Sequence, residues 1–453
     1  MLPQRRIDVV LNSVRRLSRI GATPNLLNLL QKQHPADLAQ VFSELQDRER
    51  WATFGILVDC NPRLAMEALS ELSPAVGSAL LSDRPAEEVV ELIQEIPSDD
   101  AAALVGHFPD ELSAAVLELM RRRETGEVEN LLEYAEQTAG RIMNPNVFAL
   151  SEDLTAGEAI TALQNSRDVE MVFYLYIVDS RRHLLGVVSL RRLLLVPPST
   201  SLNRIMTTDL TSARVDTDQE EAARQVASYN LLAIPVVDEE NKLVGIITVD
   251  DVIDVIKDEA TEDLYRLAGV ADDERVFTPA LVSLRKRLPW LLTNLATAFL
   301  AAAVVKLFEE SISQVVALAV FMPVVAGMGG NAATQTLTVI VRGIALGELT
   351  WSNTRQVLLK EARVGLGNGV TVGLVAAGVA WMLEGDPVLG GILALAMVIN
   401  MFVAAVAGTL IPLSLRALKV DPALASSVFI TTLTDVFGFF SFLGLGAVFL
   451  SYL

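Results

Sequence analysis

DPALASSVFITTLTDVFGFFSFLGLGAVFLSYL, running from Asp421 to Leu453, is the stretch that decides what kind of chain this is. From Ala423 onward it is apolar or small almost throughout, and it exceeds the roughly 20 residues that a helix needs to cross a bilayer. One ionised side chain, Asp435, sits inside it. A carboxylate at membrane depth costs about 2.5–3.5 kcal/mol on insertion scales, so a chain that keeps one there generally uses it to bind a cation or proton. The stretch therefore implies a cation channel or transporter with Asp435 in the ion path. The structural alternative is an aspartate that caps a broken helix or pairs with a basic group.

Working outward, the charges are unevenly placed. Nearly all precede Arg287, while the last third is almost uncharged and the mean hydropathy of the whole is +0.41. That split predicts a soluble part followed by a membrane part. The formal net charge of −19 argues against nucleic acid as a partner and suits a cation-binding surface. Cys60 is the lone cysteine, compatible with a reducing compartment. His34, His107 and His183 lie in separate segments and form no zinc-type cluster. The basic, amphipathic N-terminus lacks the continuous apolar core of a signal peptide, which places the soluble part in the cytoplasm.

Residues 1–135 read as an all-α superhelical domain. Pro62, Pro74, Pro85, Pro97 and Pro109 recur at a period of about 12, each ahead of a short apolar-periodic run. Proline suits a first helical turn, where its missing N–H is not needed. Units repeated in this way stack into a superhelix. Asp99 and Asp100 follow Pro97, where the helix dipole favours carboxylates; alternatively they face another acidic surface across a divalent ion.

Residues 136–200 and 201–257 hold one α/β unit twice. Arg141-Ile142-Met143 corresponds to Arg204-Ile205-Met206, Tyr174–Val178 to Ala233–Val237, and Leu185-Gly186-Val187-Val188-Ser189 to Leu243–Thr248. This duplication resembles a tandem pair of cystathionine-β-synthase (CBS) modules, which implies a regulatory ligand and dimerisation. In that family a Ser or Thr with an Asp three residues on holds the ribose of an adenine nucleotide, and Thr248 with Asp251 matches. Ser189 is followed by Arg192, so the first copy departs from the pattern. Asp250, Asp251 and Asp254 serve equally well as a solvated helix start.

The second module leads into an acidic connector, expected over 258–282. On a helix, Glu259, Glu262 and Asp263 share one face, where like charges repel unless a cation opposes them. The bland reading is a solubilising charge run. Residues 283–453 then carry about five apolar spans: Leu288–Val305, Val315–Ile340, Val364–Met382, Val388–Leu413 and Ala423–Leu453. Arg285, Lys286 and Arg287, then Arg342, Arg355, Lys360 and Arg363, then Arg416 and Lys419 mark the cytoplasmic side. This puts the N-terminal domains inside and the C-terminus outside. Within the second span, Pro323 and the glycines Gly327, Gly329 and Gly330 predict a broken segment that offers carbonyls, Asn331 and Gln335 to a pore. Gly365, Gly367, Asn368 and Gly369 in the third span and Asn400 in the fourth continue the theme. Helix–helix packing is the other explanation for such small residues.

The segments PVVAGMGGNAATQTLTVIVRGIALGE (Pro323–Glu348) and DPALASSVFITTLTDVFG (Asp421–Gly438) resemble the signature of the MgtE family of magnesium transporters, as does the order of domains. The resemblance implies a homodimer in the plasma (inner) membrane with a central pore. It implies Asp435 as the ion-selecting carboxylate, and Asp99, Asp100, Asp251, Glu259, Glu262 and Asp263 as ligands of regulatory Mg2+ that closes the pore. ATP at the CBS pair is implied as well. The alternative is a CBS-regulated transporter of Co2+, Mn2+ or Ni2+. Anion transport conflicts with Asp435. A membrane-tethered nucleotide sensor leaves Asp435 unexplained. Enzyme function has neither a nucleophile–base set nor a phosphate loop behind it.

Overall fold

The structure is a computed structural model describing residues 3–122, 127–166, 173–271, 274, 276, 278–418, 420–423 and 426–452, without the side chains of 3–6, 122, 426 and 427. Lys419, Leu424, Ala425, Leu453 and parts of the 258–282 connector, all used in the sequence reading, lie outside the described residues. Contacts divide the chain into two compact units, Met1–Ile256 and Lys257–Leu453.

The first unit opens with ten helices: α1 (Pro3–Arg19), α2 (Thr23–Leu30), α3 (Pro35–Glu44), α4 (Asp47–Cys60), α5 (Pro62–Ser70), α6 (Pro74–Leu81), α7 (Ala86–Ile93), α8 (Ser98–Val105), α9 (Asp110–Arg122) and α10 (Glu127–Glu133). Along the array, helices two apart in sequence pack together (α3 on α5, α5 on α7, α6 on α8, α7 on α9, α8 on α10), which is the winding that a superhelix requires. The prolines do what their spacing predicts, with one refinement. Pro62 and Pro74 occupy the first turn, whereas Pro85 and Pro97 stand at the N-cap, one position earlier. The basic N-terminus is α1, and its apolar stripe of Ile7, Val10, Leu11 and Val14 is buried against the array.

Two α/β modules follow. The first comprises α11 (Ala139–Ile142), β1 (Ala149–Ser151), α12 (Ala156–Asn165), β2 (Tyr174–Val178), β3 (Leu184–Ser189) and α13 (Leu190–Leu195). The second comprises α14 (Leu202–Ile205), β4 (Ala213–Arg214), α15 (Gln219–Tyr229), β5 (Ala233–Val237), β6 (Leu243–Thr248) and α16 (Val249–Leu267). Each sheet runs parallel then antiparallel, β1-β2-β3 and β4-β5-β6, with Tyr174 opposite Ser189 in one and Ala233 opposite Thr248 in the other. Even the turn residues correspond, since Arg182 (φ 67°) and Asn241 (φ 64°) are both left-handed.

The two motifs shared by the copies meet crosswise. A Cβ on Gly245 would sit 2.5 Å from Met143 Sδ, and one on Gly186 would sit 2.8 Å from Met206 Sδ. Each module's methionine thus seats on the other's glycine. Asn144 pairs with Ile246, and Val187 with Thr207, beside these contacts. The modules are interlocked.

Among the described residues, the second unit holds five helices long and apolar enough to cross a membrane. They are α17 (Ala280–Leu307), α19 (Ala317–Ala345), α20 (Thr354–Glu384), α21 (Pro387–Ala417) and α22 (Ser426–Val448), with the short α18 (Glu309–Gln314) between the first two and a 3-10 turn, Leu450–Tyr452, at the end. α21 is central, packed by α19, α20 and α22, while α17 lies on α22 with Leu288, Leu291, Leu295 and Phe299 exposed, as lipid contact requires.

Two expectations are corrected. The second span is not broken: α19 is continuous through Pro323, so most of its carbonyls stay in helical bonds. In the third span the small residues serve packing. Cβ atoms on Gly365, Gly369 and Gly373 would meet the α21 backbone at Met401, Val398 and Ala394, between 2.7 and 2.9 Å. This glycine repeat at every fourth residue brings two helix backbones together, gaining dispersion contacts that lipid cannot replace. Gly367 has no atom within 4 Å of its Cβ position. Ordinarily Gly→Ala within a helix gains up to about 1 kcal/mol. Here Gly369→Ala should instead lower the thermal unfolding midpoint of the detergent-solubilised protein, as overpacking by about 1–3 kcal/mol dictates, while Gly367→Ala leaves it unchanged or raises it.

Candidate functional site

Asp435 lies in the middle of α22, half-buried, on a helix that runs unbroken from Ser426 to Val448. It caps nothing, and among the described residues it has no ion-pair partner. Both structural alternatives raised by the sequence therefore lose their basis. One turn earlier, Thr431 touches the position of Gly330 on α19, with Cγ2 3.8 Å from where a Cβ would be. The outward face of α19 carries Gly327, Asn331, Thr334, Gln335 and Thr338, all exposed within an otherwise apolar helix. Thr334 and Thr338 turn their hydroxyls back to the carbonyls of Gly330 and Thr334 at 3.0 and 2.9 Å, while Asn331 and Gln335 extend outward with exposed side chains. Polar amides facing hydrocarbon would be costly, so this face suits water, an ion path or a partner.

Two residues assigned to the pore by sequence sit elsewhere. Asn400 is 0% exposed, clasped between Gly329 and Gly438, where a Cβ would come within 2.2 and 2.7 Å of its Nδ2. That nitrogen donates to the Val325 carbonyl at 2.9 Å, tying α21 to α19, and Oδ1 is enclosed without a hydrogen-bond partner. Gly329 and Asn400 are thus a buried joint between helices, Gly330 faces Thr431 of α22, and the polar outer face belongs to Gly327, Asn331 and Gln335.

Within the second unit, the end of α16 meets the start of the last membrane helix's segment through Asp421. Arg266 pairs with both Glu262 and Asp421, and Asp421 Oδ1 accepts from the Ala423 N–H at 2.8 Å where the chain turns into α22. Burial, then Asp421 and Glu259, push the Asp263 carboxyl up to about 6, opposed by Arg342. Glu262 already has a cation in its own chain. The Arg266 partnership escaped the sequence reading, although the i to i+4 spacing of Glu262 and Arg266 contains the signal.

In the first unit, Asp99 opens α8 and Asp251 opens α16. Burial first, then the charges of Asp251 and Asp100, raise the Asp99 carboxyl well above the usual carboxylate range. Its Oδ1 is enclosed without a hydrogen-bond partner. Burial likewise raises Asp251 to about 6, helped by Asp250 and Asp254 and opposed by its bonds to Thr248. Buried like charges with an unused oxygen are chemistry that a cation would relieve. Even so, no three His, Cys, Asp or Glu side chains converge at metal-holding distance among the described residues.

The Thr248 hydroxyl and N–H both donate to Asp251 Oδ2, the latter at 3.2 Å, a cap on α16. A cavity of about 360 Å3 opens beside the first copy's Ser189 and Arg192, between aromatic rings of Tyr174, Tyr176 and Tyr229. Sequence reasoning passed over it because Arg192 breaks the expected pattern.

Comparison with known proteins agrees with this architecture. Residues 322–445 match the family described as "MgtE: Divalent cation transporter", 33–137 its intracellular N domain, and 139–199 and 202–258 the CBS domain. The chain is 38% identical over 449 residues to the magnesium transporter MgtE of Thermus thermophilus, spanning 95% of this chain and 96% of that one. It is 33% identical over 444 residues to the magnesium transporter MgtE of Bacillus subtilis, spanning 96% of each. A crystal structure of the cytosolic domain of the Mg2+ channel MgtE in complex with ATP covers 54% of this chain and 99% of its own, at 36% identity and TM-score 0.50.

The raised carboxyls make a pH prediction. Asp251 holds its proton to about 6 when folded against 3.8 ordinarily, and Asp99 shifts in the same direction. The folded state therefore binds more protons than the unfolded one, and stability falls as pH rises through that window. Without divalent ions, the first unfolding transition of the full chain should drop between pH 5 and pH 7.5, and Asp99→Asn should shrink the drop by about 2–4 °C.

Proposed function

The chain belongs to the MgtE family of divalent cation transporters, a multi-pass membrane protein with cytosolic N-terminal domains, and on that footing we propose that it carries Mg2+ inward past Asp435. The observation behind this reading is a mid-membrane carboxylate without a counter-ion among the described residues, next to a polar face on α19. Mg2+ is hard, prefers oxygen ligands and sheds its water reluctantly. A wide, lightly charged passage lined by amide oxygens suits the hydrated ion. Pairing of two chains would bring two Asp435 carboxylates to one axis, matching the charge of the ion, and would cover the exposed polar face. An odd number of spans and the basic loops support a C-terminus on the outside.

Closure by internal Mg2+ is proposed to act through the acidic groups. Asp99, Asp100 and Asp251 form one such group in the first unit and Glu259 and Asp263 another on the connector; within each, like charges repel until a cation neutralises them. Glu262 is a weaker candidate, because Arg266 already compensates it. Binding to the closed form alone contributes about 2.7 kcal/mol per site at 100 times the dissociation constant, so a decisive switch takes several sites. ATP is proposed to occupy the cavity beside Ser189 and not the Thr248–Asp251 cap.

Two outcomes test this. Asp435→Ala should fold and insert yet lose Mg2+ uptake by cells to the background level; uptake within twofold of the parent would refute the pore assignment. Glu259, Glu262 and Asp263 all replaced by Ala should give currents that persist at high internal Mg2+ in inside-out patches. Closure at the parent's Mg2+ concentration would remove the connector from the sensor.

A further inference from the structure

The cavity beside the first CBS copy carries a cation where a ribose-binding acid is expected. Its walls include Tyr174, Tyr176, Ser189, Arg192, Asp209 and Tyr229, and at about 360 Å3 it is within the range of small-ligand sites. Three observations bear on what it takes. First, Tyr229 stands 64% exposed at the rim, an aromatic ring suited to stacking a planar ligand. Second, Tyr176 is 3% exposed and its hydroxyl has no hydrogen-bond partner, a state that a buried phenol rarely keeps and that a ligand acceptor would relieve. Third, Arg192 has no ion pair among the described residues, and only its backbone N–H is engaged, donating to Ser189 Oγ at 3.3 Å.

An acid at position 192 would accept from the two hydroxyls of a ribose. A guanidinium has donors only and fits a phosphate with its planar fork. We propose that this cavity selects a phosphorylated nucleotide over the corresponding nucleoside, with Arg192 reading the phosphate, an aromatic stack on Tyr229 holding the base, and the Tyr176 hydroxyl donating to a ligand acceptor. The inference rests on the nucleotide reading above and adds which residue sets the selectivity and against what. Asp209 on the same wall is a carboxylate that can accept from sugar hydroxyls.

Titration calorimetry on the purified full chain in detergent, with adenosine, AMP and inorganic phosphate as separate ligands, tests it. AMP should bind at least tenfold more tightly than adenosine, and inorganic phosphate alone should give no heat at millimolar concentration because it lacks the ring. Arg192→Gln should bring AMP and adenosine within threefold of each other, and Arg192→Asp should put adenosine ahead. Tyr176→Phe should weaken AMP at least threefold while raising thermal stability, whereas a phenol with no ligand role would leave affinity unchanged. Equal affinities in the parent, or a preference that survives Arg192→Gln, would overturn the Arg192 assignment and leave nucleotide binding standing. No binding of either AMP or adenosine would overturn both.

Discussion

Hydrocarbon does not solvate a carboxylate or an amide, and the membrane unit is arranged around that constraint. Asp435 sits mid-helix with no basic partner among the described residues, a position that suits contact with water or an ion. The polar outer face of α19 makes the same demand one helix away. The alternative, lipid against Asn331, Gln335 and Asp435 together, would stack several unfavourable transfers within one bilayer crossing.

Close packing makes the rest of the bundle rigid enough to hold that face in place. The α20–α21 pair is joined backbone to backbone through Gly365, Gly369 and Gly373. Asn400 then links α21 to the Val325 carbonyl of α19 from a slot that only glycine at 329 and 438 leaves open. A buried amide with one satisfied donor and one enclosed, unpartnered oxygen is a costly joint, and its geometry fixes the two helices in a single register. The soluble unit uses the same device, since Met143 on Gly245 and Met206 on Gly186 permit only one docking of the two CBS modules.

Much of this was legible in the sequence because its signals are local. Strand limits at Tyr174–Val178 and Ala233–Val237 were readable from β-branched runs, and helix starts from prolines. The five spans followed from length, although their helices extend past the apolar core into charged ends such as Arg342 and Arg416. What sequence could not supply was direction. Glycines at 327 and 329 look alike along the chain, yet one is on the open face and the other is under Asn400. Gly365 and Gly367 differ likewise by two residues and by which side of α20 they occupy. Ligand placement is likewise not local: a motif names residues, but Thr248 and Asp251 bond to each other, and a cavity lies at the copy that breaks the motif.

The central claim is that the outer face of α19 meets water at membrane depth, beside Asp435. Single cysteines placed by Gly327→Cys, Asn331→Cys and Gln335→Cys in a Cys60→Ser background, with Leu366→Cys on α20 as the lipid-facing control, can be challenged with a membrane-impermeant charged thiol reagent in proteoliposomes. The account predicts rapid modification at 327, 331 and 335, slowed by millimolar Mg2+, and none at 366. Equal protection of all four positions from the reagent would contradict it.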